Sequence, residues 1–361
     1  MRNWIINLFV TVIAFALILI FSEAIFRLLI FGNSATFNSL RKPEFYTSGE
    51  YEEDFWKLRV LFNWKNDAFC AFPQLSKLGW IGNFESNTFK HNEFANVGTK
   101  KAVLWYGDSF AKCVDSTLSF NEILNHDSAF SSHHYLLNYG EFGYGTDQSY
   151  LLLKESLKYY KNPFVVFSFL TNDLQRSTFH FRDGHKPYLR IAGDSLVFET
   201  GSVGVHTDDY VNNNPPQISS YLYRKLIYDK RLYSVFPFLE FQKNKLEQKK
   251  IPYVKQLNEK IFDETLNLMN INRAPFVFVV FCSFTDFESG MTWQEDFAVD
   301  YFKRKKVPYI LVRDIIKDFL TKNPTLKNQI FIPGDGHHTS LMNLQIADRI
   351  KEIILKSSST N

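Results

Sequence analysis

Residues 101–110 read KAVLWYGDSF. Five apolar residues, Ala102 to Tyr106, end abruptly at Gly107, and Asp108 and Ser109 follow. A short apolar run closed by a turn signal reads as a strand buried on both faces, and Asp-Ser after the glycine suits the start of a helix. A serine at such a turn projects from the carboxyl edge of a sheet, beside backbone amides and a helix N-terminus that can hold an oxyanion. The same pair is also an ordinary helix cap, so these residues alone leave both readings open.

The pattern repeats downstream. YLLNY (135–139), PFVVFSFL (163–170), APFVFVVFC (274–282) and VPYILV (307–312) read as further buried strands, with NQIFI (328–332) as a short last one. Between them QSYLLLKESLKYY, VKQLNEKIFDETLNLMN and WQEDFAVDYFKRKK carry apolar residues at three-and-four spacing, the mark of amphipathic helices. Alternating strands and helices predict a parallel sheet covered on both faces, with the ligand outside the carboxyl ends of the strands. Residues 174 to about 255 interrupt the alternation with four glycines, NNNPP (212–216) and a Tyr- and Lys-rich helical stretch, and are expected to form an insertion.

Three further strand ends carry chemistry. NYGEFGYGTDQ (138–148) holds a GxxGxG run, whose glycine order differs from the dinucleotide-binding fingerprint and suits a tight loop supplying an amide. Thr171-Asn172-Asp173 closes the third strand, where an Asn amide can face a developing negative charge or simply form a turn. PGDGHHTSLMNLQIADRI (333–350) places Asp335 two residues before His337, ahead of an amphipathic helix. A neutral His can take a serine's proton while a carboxylate on its other nitrogen fixes the tautomer. Asp335, His337 and His338 are also potential metal ligands, although no companion cluster such as HExxH accompanies them. His133 and His134 precede the second strand and read as surface or packing residues.

The order Gly-Asp-Ser, glycine loop, Thr-Asn-Asp and Asp-x-His at successive strand ends resembles the SGNH (GDSL-like) hydrolase superfamily, in a membrane-anchored bacterial form, over roughly residues 95–355. The resemblance implies a flavodoxin-like three-layer α/β/α fold with a central parallel sheet. It implies Ser109 as nucleophile, Asp335 and His337 as its partners, and an oxyanion hole from the Ser109 amide, Gly143 and Asn172, with no metal and no cofactor. Thr339 and Met342 depart from the Asn and Gly that family often has, and His338 offers an alternative Asp-x-x-His register. Esterase, lipase or carbohydrate O-acetyl hydrolase activity would follow, with O-acyl transfer or a catalytically inactive binding role as alternatives.

Residues 4–21, WIINLFVTVIAFALILIF, contain no charge and are long enough to cross a bilayer as a helix. The stretch after them lacks a small-x-small cleavage site, so an uncleaved anchor is expected, with Arg2 on the cytoplasmic side and the remainder outside. The expected organisation is an anchor over 1–31, a linker and entry segment over 32–95, and a hydrolase-like domain over 96–361. The chain has 361 residues, 41 Lys plus Arg against 38 Asp plus Glu, and 45% hydrophobic residues, a globular composition that excludes general disorder. So small a net charge, +3, gives no electrostatic footprint for nucleic acid, and the KRKK run at 303–306 reads as a solvated helix face. The 37 Phe residues read as core filling. Three cysteines, Cys70, Cys113 and Cys282, with no CxxC pair argue against a disulfide framework and thiolate zinc. The expected partners are an ester, acylated carbohydrate or lipid substrate and, through the first helix, a membrane; the oligomeric state is not legible.

Overall fold

The computed structural model describes residues 2–32, 34–62, 78, 91–182 and 184–359. Most of 63–90, including Cys70, lies outside these. Two compact units are present: one comprises Met1–Ala71, His180–His185 and Gly204–Ile251, the other Phe72–Phe179, Lys186–Val203 and Pro252–Asn361.

The larger unit is built on five parallel strands, β1 (Lys101–Gly107), β2 (His134–Gly140), β3 (Phe164–Leu170), β4 (Phe276–Phe281) and β5 (Tyr309–Leu311), in the order β2-β1-β3-β4-β5. That is the flavodoxin-like order, and it confirms the expected doubly covered sheet. Alternate side chains serve opposite faces. Leu104, Tyr106, Phe167 and Phe278 join one core with helices Thr146–Ser156, Ile251–Ile271 and Trp293–Lys305. Val103, Trp105, Val166 and Val279 join the other with helices Phe120–His126, Val312–Lys322 and Ser340–Ser359. Burial on both faces explains why these strands read as unbroken apolar runs rather than as alternating ones. Part of the phenylalanine content fills these cores, with Phe169, Phe278 and Phe302 all packing against Phe262, while others, Phe198 and Phe284 among them, are exposed.

One expected strand is absent. Pro324–Gln329 forms a 3-10 turn that consumes the start of NQIFI, and only Phe331 pairs, as an isolated antiparallel bridge with His338. Pro324 favours the turn through its fixed φ, and a single bridge cannot extend a parallel sheet.

The smaller unit begins with the helix Arg2–Phe31, of which Trp4–Phe31 is long and apolar enough to cross a membrane. Its last two turns are built into the unit. Glu23 accepts hydrogen bonds from the backbone N–H of Tyr221 (2.9 Å) and Leu222 (3.0 Å) and from Ser220 Oγ (2.8 Å). Its carboxylate therefore satisfies amides at the start of helix Tyr221–Tyr228. Arg27 donates to the carbonyls of Ile218 and Ser219 and lies over the Tyr221 ring. Ile30 is fully buried with Tyr46, Leu58, Phe62, Ile218 and Tyr221.

Candidate active site

The turn after β1 needs glycine at its base, because a Cβ on Gly107 would lie 2.3 Å from Ser168 Oγ on β3. Ser168 itself is committed to structure, donating to Tyr106 O (2.8 Å) and accepting from Trp105 Nε1 (2.9 Å). The chain then starts a helical turn, Ser109–Lys112, capped by Asp108, whose Oδ1 accepts from Phe110 N at 3.0 Å. Asp108 thus realises the capping reading of Asp-Ser, while Ser109 Oγ, 3.5 Å from Asp108 Oδ2, faces the last loop.

That loop turns at Gly334 and Gly336, which both have positive φ. His337 Nε2 lies 2.8 Å from Ser109 Oγ, and its Nδ1 meets Asp335 Oδ1, which also accepts the His337 backbone N–H at 3.1 Å. In the tautomer whose Nδ1–H donates to the carboxylate, Nε2 carries the lone pair, an arrangement that can take a proton from the serine hydroxyl. Burial opposes ionisation of Asp335, but the bonds from the His337 ring and backbone, together with the ring's charge, hold its carboxyl below the usual range. Asp335 is therefore an anion at neutral pH, suited to stabilise an imidazolium.

His338 is excluded from this role by its surroundings. It is 3% exposed, ringed by Phe110, Phe281 and Phe331 at centroid distances of 5.1 to 5.8 Å. Burial first, then the neighbouring His337, pushes its pKa down to about 3. The adjacent histidines thus divide: His337 faces Ser109, and His338 plugs the core. A buried neutral His makes the folded state resist protonation while the unfolded chain accepts it below about pH 6.5. His338 is accordingly expected to cost about 1.4 kcal/mol of stability per pH unit below 6.5, a slope that continues toward its folded pKa. Urea unfolding of wild type and His338→Leu at pH 7 and pH 5.5 checks this: the variant should lose less stability on acidification, and parallel pH slopes would refute it.

Gly143 adopts φ +75°, a left-handed conformation that favours glycine. Asn172 is 8% exposed and opens helix Asp173–Arg176 without a capping bond from its side chain. Both sit at carboxyl ends of strands neighbouring β1, as the sequence order requires.

Sequence reasoning missed the scaffold beneath these loops. Arg176, largely buried, bridges Asp108 Oδ2 (3.3 Å) in the first loop and Asp173 Oδ1 (2.6 Å) in the third. Asp173 Oδ2 in turn accepts from Leu170 N. Lys186, inaccessible to solvent, pairs with the equally buried Asp147 (2.8 Å) and donates to Arg176 O (2.9 Å). These bonds tie the turn after β1, the glycine loop and the Asn172 turn into one network. Nothing local in the sequence marks Lys186, 39 residues from Asp147; a lone basic residue in a loop reads as solvated.

Among the described residues no cluster of three or more His, Cys, Asp or Glu could hold a metal ion. Cys113 and Cys282 are buried free thiols, each pushed up to about 12 by burial, so neither is a competing nucleophile.

No protein-family model matches the chain, and no curated protein does. Solved structures do. It is similar to a member of the lipolytic G-D-S-L family from Veillonella parvula (12% identity, 70% of this chain and 97% of that one, TM-score 0.37). It is also similar to a lipase/acylhydrolase from Enterococcus faecalis (14%, 70% and 96%, 0.36) and to an acetyl xylan esterase (13%, 70% and 99%, 0.38). The chain spans 57% of the length of a matched Bacillus subtilis protein.

Proposed function

We propose that the chain is an SGNH-type serine esterase that cleaves an ester or O-acyl group through an acyl-enzyme at Ser109. The observation that carries this reading is the relay Ser109 Oγ, His337 Nε2 at 2.8 Å, and Asp335 on His337 Nδ1. Ser109 Oγ attacks the acyl carbon as His337 takes its proton. The carbonyl electrons move to oxygen, which the Ser109 and Gly143 amides and the Asn172 side chain would hold. Collapse of this intermediate expels the alcohol, which leaves with the proton from His337. Water, activated by the same histidine, then attacks the acyl-serine, releasing the acid and restoring Ser109.

The acceptor side points to a hydroxylated molecule such as an acylated glycan. A cavity of about 270 Å³ adjoins the nucleophile's helical turn, lined by His91, Asn92, Lys112, Asn121, Asn138 and Glu141, among others. Glu141 is 4% exposed; its Oε1 pairs with Lys112 at 2.8 Å, while its Oε2 is buried with no hydrogen-bond partner among the described residues. Such a lining suits hydroxyl groups better than acyl chains.

The first helix serves as an uncleaved membrane anchor, with the remainder of the chain outside the cytoplasm. Glu23, Arg27 and Ile30 support retention over cleavage, since removing the helix would strip a cap and a core residue from the smaller unit.

Fluorophosphonate labelling of the detergent-solubilised full chain, followed by peptide mapping, tests the esterase reading. Label should map to Ser109, and turnover should favour acetylated saccharides over long-chain lipid esters. Label on another serine, or none, overturns the assignment. Release of product only when an alcohol acceptor is supplied would replace hydrolysis by acyl transfer.

A further inference from the structure

The described residues outside the anchor expose large apolar side chains mostly one at a time, as soluble proteins do. One segment departs from this. Val235 (66% exposed), Phe236 (47%), Phe238 (59%) and Phe241 (64%) fall within seven positions around the start of helix Pro237–Gln248. Leu239 is the buried member of that helix, so the exposed aromatics occupy its other side. Phe238, Phe241 and Lys245 recur at three and four spacing and share one face. Lys245 is exposed and has no ion-pair partner among the described residues, so its ammonium is available at the edge of the aromatic patch.

The position of this patch in the fold identifies what covers it. Helix Pro237–Gln248 packs on helix Tyr221–Tyr228, and that helix packs on the anchor. Its first amides are capped by Glu23, two residues beyond the uncharged run that ends at Phe21. Eight helical residues span about 12 Å, so the patch is tethered close to where the chain enters a bilayer. Aromatics with a flanking lysine are the composition of a surface that lies in the headgroup layer, rings toward the acyl chains and ammonium toward phosphate.

We propose that Val235, Phe236, Phe238 and Phe241 form a second membrane contact, inserting into the headgroup layer beside the anchor and taking phospholipid with an anionic headgroup near Lys245. The proposal rests on the reading of the first helix as a retained anchor. The contact restrains the smaller unit on the bilayer at two points rather than one.

The test uses the full chain in phospholipid nanodiscs, with Cys70 replaced by Ser. A nitroxide is placed at Phe238→Cys, at Phe241→Cys, or at the exposed control Asp194→Cys. Relative to the control, the first two labels should be about fivefold more accessible to oxygen than to a water-soluble nickel chelate, more so with phosphatidylglycerol than with phosphatidylcholine alone. Failure of the chain to stay with the disc after carbonate washing would overturn the anchor reading itself. Retention of the chain with both labels as water-exposed as the control would overturn only the second contact. Spin coupling between labels on two chains would assign the patch to a second copy and overturn the lipid proposal.

Discussion

Ser109→Ala and His337→Ala are each expected to lower kcat on a preferred ester by about 10⁴- to 10⁶-fold, with the double variant scarcely worse than either. The reason is geometric. Nε2 lies 2.8 Å from Oγ, and the proposed mechanism has the histidine remove the proton as the carbon–oxygen bond forms, so that neither residue would contribute without the other. The fold should survive both changes, since Ser109 lies at the edge of the core and the Asp108 cap and Arg176 network remain. His338→Leu discriminates between the neighbouring histidines. It removes a core plug that does not face the serine, so activity should stay within about tenfold of wild type. Stopped-flow ester turnover, with circular dichroism as a check on folding, measures all four variants. Near-normal turnover in His337→Ala would remove the relay; inactivity in His338→Leu with His337→Ala active would move the base to His338.

Asn172→Ala is expected to lower kcat by about 10²- to 10³-fold while changing KM little, because a hydrogen bond to an oxyanion strengthens as charge develops on the oxygen. Asn172 is nearly buried, and its side chain caps no helix, which leaves the amide available to substrate. Its neighbours are committed elsewhere: Thr171 donates to Asp286 at 2.7 Å, and Asp173 holds Leu170 N and Arg176. They fix the backbone at this position, so the alanine variant should fold normally and report on the amide alone. Steady-state kinetics on the purified variant decide the matter. A loss confined to KM would make Asn172 a substrate contact and leave the oxyanion to backbone amides.

The two outcomes together would distinguish an enzyme from a binding protein of the same fold. A binding protein would keep its affinity for an acylated saccharide in Ser109→Ala and show no turnover in the wild type, whereas the esterase reading requires turnover that disappears with the serine.

The residues that were legible in the sequence share one property: their signals are local. Ala102 to Tyr106 and Phe164 to Leu170 are buried on both faces, so they appear as apolar runs whatever surrounds them, and the alternation with helical periodicity gives a parallel sheet. Ser109 and Asn172 lie directly after strands that could be recognised, at the edge where such sheets place their chemistry, whereas Asp335 was marked by its spacing to His337 alone. NQIFI shows the limit of local reading, since an apolar stretch becomes a strand only where the sheet offers a partner, and Phe331 found only His338. The division between His337 and His338 was likewise a tertiary matter. Both fitted a motif spacing, and only the aromatic shell around one and the serine hydroxyl beside the other separate them. Arg176, Lys186 and Asp147 belong to the same class. Their ion pairs join residues up to 68 positions apart, and burial, which the sequence does not display, turns ordinary charged loop residues into the frame of the site. The first helix divides in the same way: the uncharged run from Trp4 to Phe21 is apparent from composition, while the clamp of Glu23 and Arg27 on residues 218–222 exists only once the chain has folded across nearly 200 positions.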